Sequence, residues 1–451
     1  FSSDKDEVIV SNPSIDIIDY SAQEDSVYFS FLTVTQGLPF PKEEYNKLQI
    51  FIDSDFNEET GYWFPSMGAD FRLTVTATNW NFNNETNLWD PVLFSVVEIY
   101  NSDNQYDWNA FTFLTEVEAA TRDNRIEVQV PIFDISYTDS FDIKLFWLMQ
   151  DESDNYDMSS EILVFSNEGA PLYGINFEQI LNEKRNSNFN HQVFGTSITI
   201  NGLFEDWDLY RELMNLRDFN ESLNPSSQID SHLQLSCFEG CGGPGSFSEA
   251  AFYLSLVDEI VSGTAVPYQR VSYVEGYTPA SNSSSEGQNE PIIPVKDTRD
   301  TIQLLVDSDN NASTGYSIEG IGADNLFEIK GKMGIITSSL VMNHVGETSK
   351  NYNWDEGIDN PAAVMGNEME FLSFSGSYVL QVTSWDNDKS EATGQDYKPI
   401  LENDVEEVTG KDGSRSPPIS GNTLSFGDPN DVGDPGDSVR LRRIGVGDLD
   451  G

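Results

Sequence analysis

An internal repeat restricts this chain more than any other feature. Leu48-Gln49-Ile50-Phe51-Ile52-Asp53-Ser54-Asp55 returns as Ile302-Gln303-Leu304-Leu305-Val306-Asp307-Ser308-Asp309. Thr60-Gly61-Tyr62 returns as Thr314-Gly315-Tyr316, and Gly68-Ala69-Asp70 as Gly322-Ala323-Asp324. All these pairs stand 254 positions apart without a gap. A unit that occurs twice must close its own core each time, so the repeat sets domain size before any secondary structure is assigned. Weaker matches extend it. Residues 27–32 match 251–256, Tyr106-Asp107-Trp108 matches Tyr352-Asn353-Trp354, Asn124-Arg125-Ile126-Glu127 matches Asn367-Glu368-Met369-Glu370, and Trp147 matches Trp385. The expected organisation is repeat 1 over 1–168, a linker over 169–194, repeat 2 over 195–397 and a tail over 398–451. Repeat 2 carries an insertion near 265–300 that holds a Ser/Asn/Gly-rich run, read as a solvated loop.

Short runs rich in Val, Ile, Phe and Tyr recur between Gly, Pro, Asn and Asp, as at 48–52, 71–76, 126–130 and 143–148. Several are almost continuously apolar, which suits strands covered on both faces. Helical patterning is confined to 177–184 and 209–217. The expected fold is all-β: a tandem duplication of antiparallel β-sandwich domains, jelly-roll or immunoglobulin-like, with an extended C-terminal tail.

Lys and Arg total 24 against 76 Asp and Glu, a formal charge of −52. Such a field repels phosphate, so nucleic acid and anionic membrane are not expected partners. No stretch approaches the ~20 apolar residues of a membrane span. Two origins of the acidity compete, adaptation to high salt and calcium binding in an extracellular protein. The clustering of Asp in short motifs favours calcium. Phe1 is what a secreted chain would show after cleavage of its signal. Cys237 and Cys241 are too few for a four-ligand zinc site; they form either a short-loop disulfide or two free thiols in a Gly-rich turn. Asn84, Asn220, Asn282 and Asn311 open Asn-x-Ser/Thr sequons, candidate glycosylation sites.

The chemistry concentrates in the repeated acidic loops. Asp307-Ser308-Asp309-Asn310-Asn311 places several hard oxygens in one turn at a strand end, and Asp53-Ser54-Asp55-Phe56-Asn57 does the same. Calcium takes six to eight oxygen ligands, with carboxylates at alternate positions of a curved loop. The candidate ligands are Asp53, Asp55, Asn57 and Asp70, and Asp307, Asp309, Asn311 and Asp324. The competing reading is a turn closed by its own hydrogen bonds.

Ile198-Thr199-Ile200-Asn201-Gly202 followed by Glu205-Asp206-Trp207 resembles the opening of family 9 carbohydrate-binding modules. The Asp-x-Asp, Thr-Gly-Tyr, Gly-Ala-Asp block resembles a variant common in secreted and cell-surface proteins of archaea and some bacteria. The resemblance spans most of 198–395 and, without the opening motif, most of 14–160. It implies a β-sandwich with bound calcium and, in some members, sugar binding. Many members are structural surface domains, so fold does not fix function.

Repeat 1 lacks the opening motif. A sandwich missing an edge strand exposes backbone and an apolar groove. Residues 1–10, or the strand-like Val439-Arg440-Leu441-Arg442-Arg443-Ile444-Gly445-Val446 of another copy, are the candidates to fill it, against the competing reading of a truncated edge covered by a loop. That terminal run is basic inside a very acidic chain, which suggests docking on an acidic surface. No catalytic constellation stands out, and no enzymatic activity is expected. His191, His232 and His344 are read as surface or loop residues. Trp63, Trp80 and Trp89 have no counterparts in repeat 2 and are the candidates for sugar stacking, against core or edge packing; Trp108, Trp147, Trp207, Trp354 and Trp385 are read as structural. The expected function is an extracellular structural subunit of a filament or surface layer that assembles with itself. The alternative is a secreted carbohydrate-binding or adhesin module whose partners are glycans.

Overall fold

The computed structural model describes residues 2–3, 11–25, 27–42, 44–84, 87–135, 142–153, 155–165, 173–185, 190–194, 196–208, 210, 228–236, 249–267 and 295–394. The tail 398–451, Cys237, Cys241 and most of the helix read over 209–217 lie outside the described residues. The fold is all-β. The chain divides into two compact units, Phe1–Lys184 with Thr264–Thr298, and Arg185–Gly263 with Arg299–Gly451.

In the first unit one antiparallel sheet has the order Ser2–Ser3, Ile17–Glu24, Tyr28–Thr35, Arg125–Pro131, Glu118–Arg122. The other runs Tyr173–Asn176, Glu161–Phe165, Ile143–Gln150, Lys47–Asp53, Phe71–Asn83, Leu88–Tyr100, Phe111–Glu116. Side chains alternate across a strand, so Phe29, Phe31, Val128 and Val130 of the first sheet meet Leu48, Ile50, Leu73 and Trp147 of the second in one core. Each such side chain removed from water contributes about 1.5–3 kcal/mol.

Lys47–Asp53 and Ile143–Gln150 are buried at every position. Their outer face carries a second aromatic layer. Phe51 packs on Phe64 at 4.6 Å, Phe146 on Phe177 at 4.7 Å, and Tyr62 on Trp108 at 5.3 Å. Residues 264–267 and 295–298 complete this layer. Ala265 and Val266 are buried, the Tyr62 hydroxyl donates to the Ala265 carbonyl at 2.9 Å, and Gln150 Nε2 donates to the Val266 carbonyl at 2.9 Å. The ends of the insertion, expected in repeat 2, therefore belong to the first unit; the Ser/Asn/Gly-rich run read as a solvated loop lies outside the described residues, as do all of residues 268–294. The linker reading of 169–194 is also corrected. Tyr173–Asn176 adds a strand to the sheet, and helix Phe177–Arg185 follows, burying Phe177, Ile180 and Leu181.

In the second unit Ile229–Ser236, Glu249–Leu256, Glu368–Phe374 and Ala362–Met365 form one sheet. Ile358–Asp359, Ile335–Asn343, Asn325–Lys332, Asp300–Asp307, Ser377–Thr383 and Lys389–Gly394 form the other. Phe252, Leu254 and Phe371 meet Ile302, Leu304, Phe327 and Leu380 between them.

Register corrects two of the sequence matches. Asn124 Nδ2 donates to the Thr35 carbonyl and Asn367 Nδ2 to the Leu256 carbonyl. Thr35 thus answers to Leu256, three residues away from the match of 27–32 with 251–256. An odd shift reverses the faces of a strand, and only the corrected register sends Phe31 and Phe252 inward together. Trp147 lies opposite Ile50 and Leu380 opposite Leu304, so Leu380, not Trp385, holds the position of Trp147.

The opening motif of the second unit is not an edge strand. Thr199–Ile200 pairs with His191–Gln192, and Ile198, Ile200, Phe204 and Trp207 lie over Leu233, Leu235, Ala251 and Tyr253 on the outer face of the smaller sheet. Glu370, fully buried there, accepts the Asn201 and Gly202 amides at 2.7 Å each and Trp207 Nε1 at 2.7 Å. In the first unit the matching Glu127 is exposed between exposed Arg125 and Gln129. That face is polar, so absence of the motif uncovers no apolar groove on it. Its edge strand Ile17–Glu24 is paired over Asp19 and Tyr20 by Ser3 and Ser2 of the same chain. No helix among the described residues is long and apolar enough to cross a membrane.

Candidate metal centre

Each acidic loop follows a central strand, Lys47–Asp53 or Asp300–Asp307, and is closed by a short hairpin, Tyr62–Phe64 with Met67–Ala69 or Tyr316–Ile318 with Ile321–Ala323. Gly68 and Gly322 pack so tightly that a Cβ would lie 1.9 Å from the Thr60 carbonyl oxygen and 2.1 Å from that of Thr314. Phe56 and Asn310 take the same left-handed conformation, φ 60° and 55°. Asn tolerates it and Phe does so at a cost.

The hydrogen bonds of the two loops correspond. Asp70 accepts from the Ser54 amide and hydroxyl, and Asp324 from those of Ser308. The Asn57 amide donates to Asp53 and Asp55, and the Asn311 amide to Asp307 and Asp309. Thr60 and Thr314 donate to Asp55 and Asp309. One carboxylate oxygen each from Asp53, Asp55 and Asp70 lies within 4.8 Å of the others, and Asp307, Asp309 and Asp324 form a second such group. These two acidic clusters could hold metal ions. The donors are hard oxygens with no His or Cys among them, a set suited to calcium or magnesium rather than zinc or copper. Asn57 and Asn311 each turn the side-chain oxygen to a backbone amide two residues on.

The two sites differ in charge. Lys144, opposite Asp53 in the sheet, sets its ammonium 3.5 Å from the Asp53 carboxylate, 2.7 Å from the Ser66 carbonyl and over the Phe56 ring at 4.3 Å. Ser377 stands opposite Asp307. Burial pushes the Asp53 carboxyl up to about 6, opposed by Lys144 and reinforced by Asp70. Asp70 and Asp324 are likewise raised, mainly by burial. The role of Lys144 was invisible in the sequence, because it depends on strand register.

The tryptophans do not form one platform. Trp63 is half-buried against Tyr106 at 5.8 Å. Trp80 packs on the core and donates to the Phe40 carbonyl at 3.2 Å. Trp89 is 45 % exposed, pairs with exposed Phe82 at 5.2 Å and lies under the Lys42 ammonium at 4.2 Å. Of the sequons, Asn84 and Asn311 are exposed, and Asn220 and Asn282 lie outside the described residues. His232 corrects its surface reading. It is buried, its ring parallel to Phe252 at 6.4 Å and its Nδ1 2.9 Å from the Tyr378 hydroxyl, because its strand position faces the core. No protein-family model matches the chain, and no curated protein matches it.

Proposed function

We propose that this protein is an extracellular structural subunit of a cell-surface assembly, a filament or surface layer, built from two related sandwich units and stabilised by calcium. The observation that carries the reading is the recurrence of one carboxylate cluster, with corresponding loop hydrogen bonds, after the matching central strand of both units. A cluster of three carboxylates inside a chain of charge −52 is costly without a cation. Calcium bound by Asp53, Asp55 and Asp70, and by Asp307, Asp309 and Asp324, would lock the loop after each central strand to its hairpin. The likeness to family 9 carbohydrate-binding modules belongs to the same reading.

Strand addition between copies is the proposed linkage. One edge open to it is Ile229–Ser236, whose outer side pairs with no strand among the described residues. Negative-stain electron microscopy with calcium and then with a chelator tests the proposal. Ordered filaments or sheets that disperse on chelation are expected; monomers under both conditions would refute it. A glycan-binding module is the second reading, favoured by the exposed Trp89–Phe82 pair.

A further inference from the structure

A cavity of about 190 Å³ opens in the second unit. Leu256, Val261, Ile302 and Val382 give it apolar walls, Trp385 an aromatic one, and Asp258, Glu259, Asp300 and Asp386 bring four carboxylates. Asp300 is 8 % exposed. It accepts the Gly263 amide at 2.7 Å, the Ser262 hydroxyl at 3.2 Å and the Trp385 amide at 3.0 Å, and forms no ion pair among the described residues. Glu259 has Arg185 at 3.6 Å. A hydrogen bond from Ser384 holds Asp386 below the ordinary carboxylate range. At the position that answers to Asp300 the first unit has Asn46, which donates to the Pro39 carbonyl.

The lining selects its ligand. Four carboxylates repel an anion. They do not converge as the loop clusters do, so a bare metal ion finds no set of oxygens here. An organic cation on an aliphatic stem satisfies all the walls. Its stem lies on the apolar side chains, a planar guanidinium stacks on the indole, and its N–H groups meet carboxylates.

We propose that this cavity binds a guanidinium group, and that its occupant is an arginine of the Arg440-Leu441-Arg442-Arg443 segment of the same protein. Three arginines in four residues stand out in a chain with 24 basic residues in 451. The cavity is lined by Gln228, the residue before Ile229–Ser236. A segment added along that strand would carry alternate side chains to its end. The occupant therefore rests on the strand-addition reading, whereas the chemistry of the cavity does not.

The test uses the full chain with Arg440, Arg442 and Arg443 changed to Gln, so that its own tail does not compete. Calorimetric titration with butylguanidinium probes the cavity, and titration with a peptide of residues 438–447 probes the tail. Both are expected to bind, and Trp385→Ala is expected to weaken each at least tenfold. Asp258→Asn with Asp386→Asn, which spares the hydrogen bonds of Asp300, is expected to do the same. Peptide binding that is unchanged in both variants and vanishes with salt would be general attraction to an acidic surface and would overturn the proposal. Binding of butylguanidinium without the peptide would overturn the tail as occupant while leaving the cavity as a cation site. Absence of binding by both would overturn the whole.

Discussion

The ammonium of Lys144 lies 3.5 Å from the carboxylate of Asp53, and the same sheet position opposite Asp307 is held by Ser377. Loops with matching hydrogen bonds therefore present different fields to a cation. A fixed positive charge competes with an incoming one, so the loop of Asp307 should take calcium first. Calorimetric titration should resolve a tighter and a weaker site. Asp307→Asn should remove the tighter, and Lys144→Ser should strengthen the weaker by at least tenfold. Two equal sites that ignore Lys144→Ser would contradict the assignment.

The titration of Asp53 has a definite sign. Its carboxyl is raised to about 6 from 3.8 by burial. The folded state thus binds more protons than the unfolded state between those values. Its stabilisation is complete below about pH 4 and lost as the pH rises through about 6, about 3 kcal/mol in all. Asp70, Asp300, Asp324 and Glu370 are shifted in the same direction. The melting temperature in chelator should fall from pH 4 to pH 7. Calcium requires ionised carboxylates, so saturating calcium should reverse that slope and its binding should release protons. Parallel melting curves with and without calcium would exclude the loops as calcium sites.

Glu370 and Glu127 occupy matching strand positions in opposite surroundings. Glu370→Gln keeps an acceptor for the two backbone amides but turns a donor toward Trp207. It should cost about 2–3 kcal/mol in urea unfolding, with a red shift of tryptophan emission. Glu127→Gln should stay within about 0.5 kcal/mol. Equal effects would show that the opening motif is not held by Glu370.

The Tyr62 hydroxyl donates to the Ala265 carbonyl and lies 3.0 Å from Thr298 Oγ1. Tyr62→Phe leaves the buried Ala265 carbonyl short of a donor and the Thr298 hydroxyl short of an acceptor, and should cost about 1–3 kcal/mol. Hydrogen exchange should quicken at Thr264, whose amide bonds the Thr298 carbonyl. Unchanged exchange there would mean that the segment is held by other contacts.

If the protein binds glycans, Trp89→Ala with Phe82→Ala should abolish retention on a glycan array, while Trp63→Ala should leave it nearly intact. The difference follows from exposure: Trp63 rests on Tyr106, whereas Trp89 and Phe82 face solvent. Retention that survives the double variant would remove this surface from consideration.

The strand-rich fold, the paired acidic loops and the carboxylates that gather in them were legible in order along the chain. Each is local: β-branched and aromatic runs between turn residues make strands, and Asp at alternate loop positions brings oxygens to one side of a turn. The approach of Asp70 to Asp53 was readable because the short hairpin between them is local as well. Residues far apart in sequence met only through the sheets. Register alone set Lys144 beside Asp53, moved the counterpart of Trp147 from Trp385 to Leu380, and sent Glu370 under Trp207 while Glu127 stayed in water. A side chain changes face with every residue of slip, and no composition or motif records that slip. The ends of the insertion show the same limit. Sequence order places them in repeat 2, yet Tyr62 and Gln150 satisfy the carbonyls of Ala265 and Val266 and make these residues core of the first unit.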